Sequence, residues 1–370
     1  MPERFIGIMS GTSLDAVDVV IASFQDGINI EASLALDFPD SLRDSVRQLC
    51  LPGQNEIDRM GEVSYQLADI YARAVNKLLT QSSCPASDIR AIGLHGQTIR
   101  HRPEGAYPFS LQIGSPARVA ELTGIPVIAD FRSADIAAGG QGAPLVPAFH
   151  TSVFRSASCN RIILNLGGMA NLTILPADAT NAVRGYDTGP GNILLDEWIR
   201  DRQGISCDKN GAWAAQGNIL DDLLALCLQD PFFALPPPKS TGREYFTLQW
   251  INNIISQLSQ TPAGIDVQAT LSELTAQSVT DMINQEELSI DEVFVCGGGV
   301  HNNFLLQALT NNLGGISVQS TAVLGLDPDY VEAACFAWLA QEHTHNRPAN
   351  LPSVTGAAHP VILGAYYPAG

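Results

Sequence analysis

Two turns that contain glycine, each between apolar strands, constrain the fold of this chain most. The first turn joins residues 5–9 to residues 17–21, and the second joins residues 161–166 to residues 171–175. Apolar, partly β-branched segments on both sides of such a turn are typical of β-hairpins. Each hairpin opens about half of the 370-residue chain, so the spacing predicts two domains of related architecture.

A third glycine-rich segment follows a strand and precedes a helix. The apolar residues 293–296 lead into Gly297, Gly298 and Gly299. Asn302 is then expected to cap the helix that follows.

Apolar residues at helical spacing predict further helices. One covers residues 60–78, another begins at Thr270 with Glu273 in a capping box, and a third follows Asp329. Strands that alternate with helices predict an α/β fold with mixed sheets.

The balance of charge excludes some partners. The chain has 38 acidic and 20 basic residues and a net charge of −18, which repels the phosphates of nucleic acid. No apolar stretch approaches the roughly 20 residues that span a bilayer, and the seven cysteines are dispersed. We therefore expect no nucleic-acid partner, no membrane segment and a cytoplasmic protein.

Glycine turns are the candidates for nucleotide binding, because the chain lacks the Gly-x-x-x-x-Gly-Lys-Ser/Thr pattern of a P-loop. Glycine lets the backbone approach an anion, and hydroxyls and amides supply donors. Alternatively, these residues serve only their turns. The candidates are Gly11, Thr12, Ser13, Leu14, Asp15, Asp18, Gly167, Gly168, Asn171, Gly297, Gly298 and Gly299. Asp15 or Asp18 could hold water around a bound Mg²⁺.

Seven segments carry a resemblance to a known family. They are MSGTSLD at 9–15, HGQT at 95–98, DFR at 130–132, GGQGAPLVP at 139–147, YDTGPGN at 186–192, KSTGREYF at 239–246 and LPSVTGA at 351–357. The set resembles the anhydro-N-acetylmuramic acid kinase family, within the sugar kinase/Hsp70/actin superfamily, over essentially the whole chain. Met9 stands where the superfamily usually has an aspartate. The narrower family shares this departure, which leaves the Mg²⁺ ligand undetermined.

The resemblance implies a two-domain actin-like ATPase fold with ribonuclease H-like domains and a central cleft. An N-terminal domain, 1–132, would carry the phosphate-1 hairpin and be joined by the segment 330–370. A C-terminal domain, 133–329, would carry the phosphate-2 hairpin, the catalytic aspartate and the adenosine motif.

The resemblance also implies an activity that uses ATP and Mg²⁺. Water would attack C1 of 1,6-anhydro-N-acetylmuramic acid while O6 leaves with the γ-phosphoryl group, in peptidoglycan recycling. The alternatives are a kinase for a free hydroxyl of another amino sugar, and a non-enzymatic sensor of nucleotide or sugar. A homodimer is left open.

Asp187 would be the base that activates the water. It precedes a helix that Asn192 is expected to cap, in a turn rich in glycine and proline, and a helix N-terminus favours the ionised carboxylate. An inverting glycosidase needs a second carboxyl group as acid, but here the phosphoryl group takes that place at O6. Alternatively, Asp187 only satisfies turn amides.

Polar residues at strand ends are the candidates for sugar binding. They are His95, Gln97, Thr98, Asp130, Arg132 and Glu332. Arg132 would either grip the lactyl carboxylate of the substrate or pair with its neighbours Asp130 and Asp135. Glu332 would either contact the substrate or complete a capping box with Asp329.

Overall fold

The computed structural model of the chain describes residues 2–11, 14–25 and 27–370. Its strands are β1 Arg4–Ser10, β2 Ala16–Ser23, β3 Asn29–Asp37, β4 Ile89–Leu94, β5 Gln97–Arg102, β6 Phe109–Ile113, β7 Val127–Ala129, β8 Arg161–Leu166, β9 Met169–Leu175, β10 Arg184–Pro190, β11 Glu292–Cys296, β12 Ser317–Ser320 and β13 Ala365–Tyr367. Its helices are α1 Asp40–Leu49, α2 Glu56–Ser82, α3 Pro116–Thr123, α4 Ser133–Ala137, α5 Val146–Phe154, α6 Ile193–Gln203, α7 Asp221–Leu228, α8 Pro231–Ala234, α9 Leu248–Ile255, α10 Gly264–Asn284, α11 Asn303–Asn312, α12 Val331–Thr344 and α13 Pro352–Thr355.

The chain divides into two compact units. The first contains Met1–Val153 and Tyr330–Gly370, and the second contains Phe154–Asp329. The sequence placed the end of the first domain at residue 132, whereas the first stretch of this unit runs to Val153. In the part of the chain that the structure describes, no helix has an apolar stretch that would reach across a bilayer.

The first unit is built on a six-stranded sheet in the order β13-β7-β4-β1-β2-β3. Strands β1, β2 and β3 are antiparallel neighbours, whereas β4 and β7 continue the sheet parallel to β1. Helix α12 packs against β1 and β4. A Cβ atom on Gly7 would lie 1.8 Å from the Ala333 carbonyl oxygen, and one on Gly93 would lie 1.9 Å from the Phe336 carbonyl oxygen. Glycine at both positions therefore lets the helix lie directly on the sheet.

The second unit repeats this order with five strands, β10-β9-β8-β11-β12. The first three strands are antiparallel, and β11 and β12 follow parallel to β8. Buried side chains of the sheet, α10 and α11 form one apolar cluster, and α6, α7, α9 and α10 contribute to another. In both units, three antiparallel strands followed by parallel ones is the order of a ribonuclease H-like domain. The predicted α/β fold with two such domains is confirmed.

The strand order determines where polar residues collect. Parallel strands place their carboxyl ends at one edge of a sheet, which is where ligands bind in open α/β sheets. Ser10, His95 and Asp130 end or follow β1, β4 and β7 in the first unit. Gly167 and Gly297 follow β8 and β11 in the second.

One helix begins earlier than the sequence predicts. Helix α10 starts at Gly264, so Thr270 lies inside it and donates its hydroxyl to the Asp266 carbonyl oxygen at 2.7 Å. Glu273 accepts a hydrogen bond from Asn312 instead of closing a capping box. The capping-box prediction was wrong because threonine bonds the preceding helical turn as readily as it caps a helix.

Candidate active site

The hairpin turn at Gly167 and Gly168 lies against the start of α6. The Gly167 carbonyl oxygen accepts the Asn192 amide at 2.8 Å, and the Gly168 carbonyl oxygen accepts the Gly191 amide at 2.9 Å. The sequence predicts that the Asn192 side chain caps the helix. In the structure this side chain instead donates to the Leu166 carbonyl oxygen at 2.9 Å. It therefore ties the helix to the hairpin.

The glycine run after β11 packs against the same hairpin. A Cβ on Gly297, whose φ is +79°, would lie 2.4 Å from Oδ1 of Asn165, and one on Gly299 would lie 2.5 Å from the Leu166 Cβ. Around Gly168 and Gly298, a Cβ would meet no atom within 4 Å. Two glycine motifs that are distant in sequence thus form one small-residue surface with open space beside it. Asn302 caps the helix after the run, as predicted, by accepting the Leu305 amide.

Asp187 lies in strand β10 opposite Asn171 of β9 and not in the turn that the sequence predicts. Its amide donates to the Lys239 carbonyl oxygen at 3.0 Å. Its carboxylate accepts the Thr241 amide at 2.9 Å and the Ser240 hydroxyl at 3.1 Å. Both of these hydrogen bonds fall on Oδ2, which leaves Oδ1 for a different partner.

The environment of Asp187 also differs from the expected helix N-terminus. Removal from solvent raises the pKa of the Asp187 carboxyl, and the hydrogen bonds from Thr241 and Ser240 oppose that rise. Helix α6 starts at Ile193, and the causes of the Asp187 pKa shift are burial and these two hydrogen bonds. The carboxylate is therefore more basic than an ordinary aspartate, for a reason opposite to the predicted one.

Lys239 supports the segment that contacts Asp187. Its buried side chain donates to the carbonyl oxygens of Phe232 at 3.1 Å and Phe233 at 3.3 Å, and Nζ lies 4.6 Å from the Phe232 ring centroid. Sequence reasoning does not place Lys239, Ser240 or Thr241 in the site, although Lys-Ser-Thr belongs to one of the segments that carry the family resemblance.

The first hairpin is described in part. Thr12 and Ser13 lie outside the described residues. The Leu14 side chain is buried in the core at a φ of +60°, so the residue can offer only its backbone to a ligand. Asp15 is exposed, and Asp18 lies within β2 opposite Met9. Across the described residues, histidine, cysteine and acidic side chains form no group of three that could hold a metal ion.

His95 and Arg132 form the centre of the candidate sugar site in the first unit. Nη2 of Arg132 lies 3.1 Å from Nε2 of His95, and Nη1 donates to the Gly142 carbonyl oxygen at 2.8 Å. Removal from solvent and then the Arg132 charge lower the pKa of His95 to about 3. The imidazole is therefore neutral, and its Nε2 accepts from the guanidinium.

The Arg132 cation lies in a setting that disfavours its charge. Removal from solvent lowers its pKa, and the nearby Glu332 carboxylate opposes that effect. Its Nε is buried with no hydrogen-bond partner among the described residues. An acceptor or an anion that reaches such a group stabilises it. Neither Asp130 nor Asp135 pairs with it, because Asp130 accepts from Ser133 and Asp135 bonds other groups.

Glu332 is not part of a capping box. Tyr330 occupies the N-cap position of α12, and Asp329 instead contacts His301, with an oxygen 2.8 Å from Nε2. Removal from solvent raises the pKa of Glu332, and the Arg132 charge opposes the rise. The structure thus brings Glu332 to Arg132, which lies 200 positions earlier in the sequence.

Gln97 and Thr98 occupy different places behind and beside this centre. Gln97 is buried and its Oε1 accepts the Ser10 hydroxyl at 2.8 Å, while the Ser10 oxygen lies 2.9 Å from that of Tyr71. The Thr98 hydroxyl accepts from Gln112 at 3.0 Å. Gln97 therefore supports the strand end, whereas Thr98 helps to orient a neighbouring side chain.

A cavity of about 240 Å³ opens next to His95. Of the six predicted sugar-binding residues, His95 and Asp130 line it, whereas Gln97, Thr98, Arg132 and Glu332 are not among its lining residues. Three polar residues that the sequence does not single out line it as well: Ser110, Gln112 and Ser133. Ser110 and Gln112 lie on β6, and no local pattern distinguishes them from other polar strand residues.

Comparison with known proteins identifies the family. The model of the anhydro-N-acetylmuramic acid kinase family matches residues 3–369. The chain belongs to the anhydro-N-acetylmuramic acid kinase family. The Acinetobacter baylyi anhydro-N-acetylmuramic acid kinase is 50% identical over 376 residues, which cover 98% of this chain and 99% of the relative. That of Saccharophagus degradans is 47% identical over 370 residues, which cover 99% of each. The predicted enzyme class, an ATP-dependent sugar kinase, is confirmed.

Solved structures outside this kinase family are more distant. An activator of 2-hydroxyisocaproyl-CoA dehydratase from Clostridium difficile, with bound ADPNP, aligns with a TM-score of 0.48 at 13% identity, over 92% of this chain and 97% of that one. A ROK family glucokinase from Streptomyces griseus, in complex with glucose and AMPPNP, aligns with a TM-score of 0.40 at 14% identity, over 92% and 99%.

Proposed function

We propose that this chain converts 1,6-anhydro-N-acetylmuramic acid, ATP and water to N-acetylmuramic acid 6-phosphate and ADP, in the recycling of cell-wall sugars. Water adds to C1, the C1–O6 bond breaks, and O6 takes the γ-phosphoryl group. The observation that carries the proposal beyond family membership is the one-sided carboxylate of Asp187, which has a raised pKa and one oxygen turned away from its donors.

Asp187 serves as the general base. Its two donors hold Oδ2, so Oδ1 takes the proton as the water oxygen bonds to C1. A base with a raised pKa removes a proton more readily than an ordinary aspartate does, provided that it remains ionised. The phosphoryl group bonds to O6 as that oxygen leaves C1, so no second carboxyl group is needed to protonate it.

Arg132 binds the lactyl carboxylate of the sugar. Its hydrogen bonds with described residues go to neutral acceptors, and its Nε lacks a partner among those residues. A carboxylate that reaches the guanidinium would compensate the cation and satisfy the donor at once. Glu332 is near enough to favour the Arg132 charge. The sugar carboxylate would compete with the Glu332 carboxylate for this cation, so Glu332 sets how strongly Arg132 attracts an anion.

The sugar ring occupies the cavity beside His95, where Asp130, Ser110 and Gln112 supply polar groups. A neutral histidine and serine or glutamine side chains can exchange hydrogen bonds with hydroxyl and acetamido groups. Thr98 and Ser133 hold two lining residues of this cavity, Gln112 and Asp130, through their hydrogen bonds, whereas Gln97 bonds Ser10 at the end of β1.

The glycine turns hold the phosphates and adenosine of ATP. The open space beside Gly168 and Gly298 leaves room for the phosphates of ATP to approach the protein backbone. Mg²⁺ would offset charge on the phosphates, and Asp15, which is exposed, or Asp18 would hold its water. Without three acidic, cysteine or histidine side chains clustered among the described residues, most of the metal's ligands would be phosphate and water oxygens.

Mass spectrometry of the product formed in ¹⁸O-labelled water tests the reaction. The proposal predicts a 6-phosphorylated open sugar with the label at C1. ADP without this product would indicate a kinase for a free hydroxyl of another amino sugar. Binding without any ADP would indicate a sensor.

We place this reaction in the cytoplasm. A homodimer stays a prediction, which the molar mass in light scattering tests directly.

A further inference from the structure

Asp135 is a carboxylate with no exposure to solvent, and it joins three parts of the first unit. It lies on α4, three residues after Arg132. Its Oδ2 accepts the Gly142 amide at 2.8 Å, and its Oδ1 accepts Nδ2 of Asn350 and the Thr355 hydroxyl, each at 2.7 Å. A buried carboxylate with all its donors supplied is stable in place, but it is sensitive to any change of charge or geometry.

Gly142 connects this carboxylate to Arg132. The Gly142 amide donates to Asp135, and its carbonyl oxygen accepts from Nη1 of Arg132 at 2.8 Å. The loop approaches so closely that a Cβ on Gly140 would lie 2.2 Å from Oδ2 of Asp135. The Gln141 amide also donates to the Thr355 carbonyl oxygen at 2.8 Å. The segments at 139–147 and 351–357 are thereby held to one carboxylate.

We propose that Asp135 is a positioning residue that sets the direction of the Arg132 guanidinium through residue Gly142. This inference rests on the proposed role of Arg132 in binding the sugar carboxylate. A carboxylate accepts all three bonds, whereas an asparagine offers one acceptor oxygen and an NH₂ group. With asparagine at 135, either the Gly142 amide or the donors of the C-terminal segment face an NH₂ group. The Gly142 carbonyl then turns, and the guanidinium loses one of its two acceptors.

A double-mutant cycle tests this relay. Asp135→Asn is expected to raise the KM for 1,6-anhydro-N-acetylmuramic acid about 10- to 100-fold, the scale of a displacement of about 1 Å in a site. The KM for ATP is expected to stay unchanged. In the Arg132→Gln background, Asp135→Asn should add nothing further to the sugar KM, because the residue through which it acts is gone.

Each result of the cycle has a distinct meaning. Multiplying effects in the double variant, or an unchanged sugar KM in Asp135→Asn, would overturn the positioning role while leaving the role of Arg132 intact. An unchanged sugar KM in Arg132→Gln would end both proposals.

Glu342→Gln is the matched control for a loss of stability. Glu342 is also a buried carboxylate of the first unit, and it accepts from Arg347 at 2.7 and 2.5 Å. Its variant should lower the unfolding temperature and leave the sugar KM unchanged. A rise in KM as large as that of Asp135→Asn would show that instability alone is the cause.

Gly142→Ala keeps the test open if Asp135→Asn does not fold. The new Cβ would lie 2.9 Å from Cγ1 of Ile136 and 3.2 Å from the Arg132 Cβ, at a φ of +70°, so the peptide must shift. The same rise in sugar KM, absent in the Arg132→Gln background, is expected. A normal KM in this variant would contradict the relay.

Discussion

Asp135 and Asp187 are both aspartates drawn away from solvent, yet the protein surrounds them in different ways. Asp135 accepts three hydrogen bonds that use both of its oxygens, and its donors come from the glycine loop and the C-terminal segment. Asp187 accepts two, both on Oδ2, from one short segment after Lys239. Three donors satisfy the first carboxylate, whereas the second keeps an oxygen for another partner.

The difference is consistent with the proposed role of Asp187 as the base. Donors from two distant segments hold both oxygens of Asp135, so this carboxylate serves the structure around it. Asp187 has fewer donors to oppose the effect of burial, and its pKa is raised. Perturbed ionisation in a polar site of this kind is typical of catalytic groups.

The largest effect in this comparison is expected for the base. Asp187→Asn should lower turnover by roughly 10² to 10⁴, the usual contribution of a positioned base. Nucleotide binding, measured by calorimetry, should be retained. Asp266→Asn is a suitable control, since Asp266 accepts the Asn218 amide elsewhere in the second unit. Turnover near the wild-type value in Asp187→Asn would remove the base from the mechanism.

The next effect concerns the proposed anion site at Arg132. Arg132→Gln should raise the sugar KM about 10- to 100-fold, because a charge-assisted hydrogen bond contributes about 1.5–3 kcal/mol. Steady-state kinetics with each substrate varied will separate this from any change in the KM for ATP. Arg118→Gln, at an arginine paired with Asp69, should leave both constants unchanged. A sugar KM equal in the two variants would be inconsistent with carboxylate binding by Arg132.

The free energy of unfolding should distinguish the two aspartates in the opposite order, with the larger effect at Asp135. Asp135→Asn is expected to lose about 1–3 kcal/mol of unfolding free energy, because it leaves a buried donor unsatisfied. Asp187→Asn should not lose stability at neutral pH. Because the pKa of Asp187 is raised in the folded protein, the folded state binds this proton more tightly than the unfolded state does. The contribution of Asp187 to the unfolding free energy is therefore present at low pH and is lost as pH rises from the unfolded pKa through the folded one. Urea unfolding of both variants measures this, and equal losses would contradict the comparison.

The smallest effect is a shift in pH dependence. The base must be ionised, so activity is lost as pH falls through the Asp187 pKa, which lies above its ordinary value. Ser240→Ala removes a hydrogen bond that lowers this pKa, so the acid limb of the pH–turnover profile should move to higher pH. Ser256→Ala, whose hydroxyl donates only to a nearby carbonyl, is the control. A limb that stays in place, or moves down, would contradict the role of Ser240.

Local pattern was sufficient for the parts of the fold that depend on neighbours in sequence. Both glycine-turned hairpins, the strand before Gly297 and the cap at Asn302 are where the sequence predicts them. Capping at Thr270, Asn192 and Asp329 was wrong, because each of these side chains found a partner that sequence spacing does not reveal. Side chains that can cap a helix also bond any carbonyl or histidine that the fold brings near.

The sequence by itself determined the alternation of strands and helices, the glycine turns and, through its motifs, the family. These follow from backbone preferences and short spacings, which are properties of adjacent residues. Only the tertiary structure decided that Asp187 lies in a strand with a raised pKa, that Glu332 approaches Arg132, and that Asp135 meets residues 215 and 220 positions later in the chain. The ionisation and bonding of a side chain depend on the solvent it loses and the dipoles it gains, and distant segments supply both.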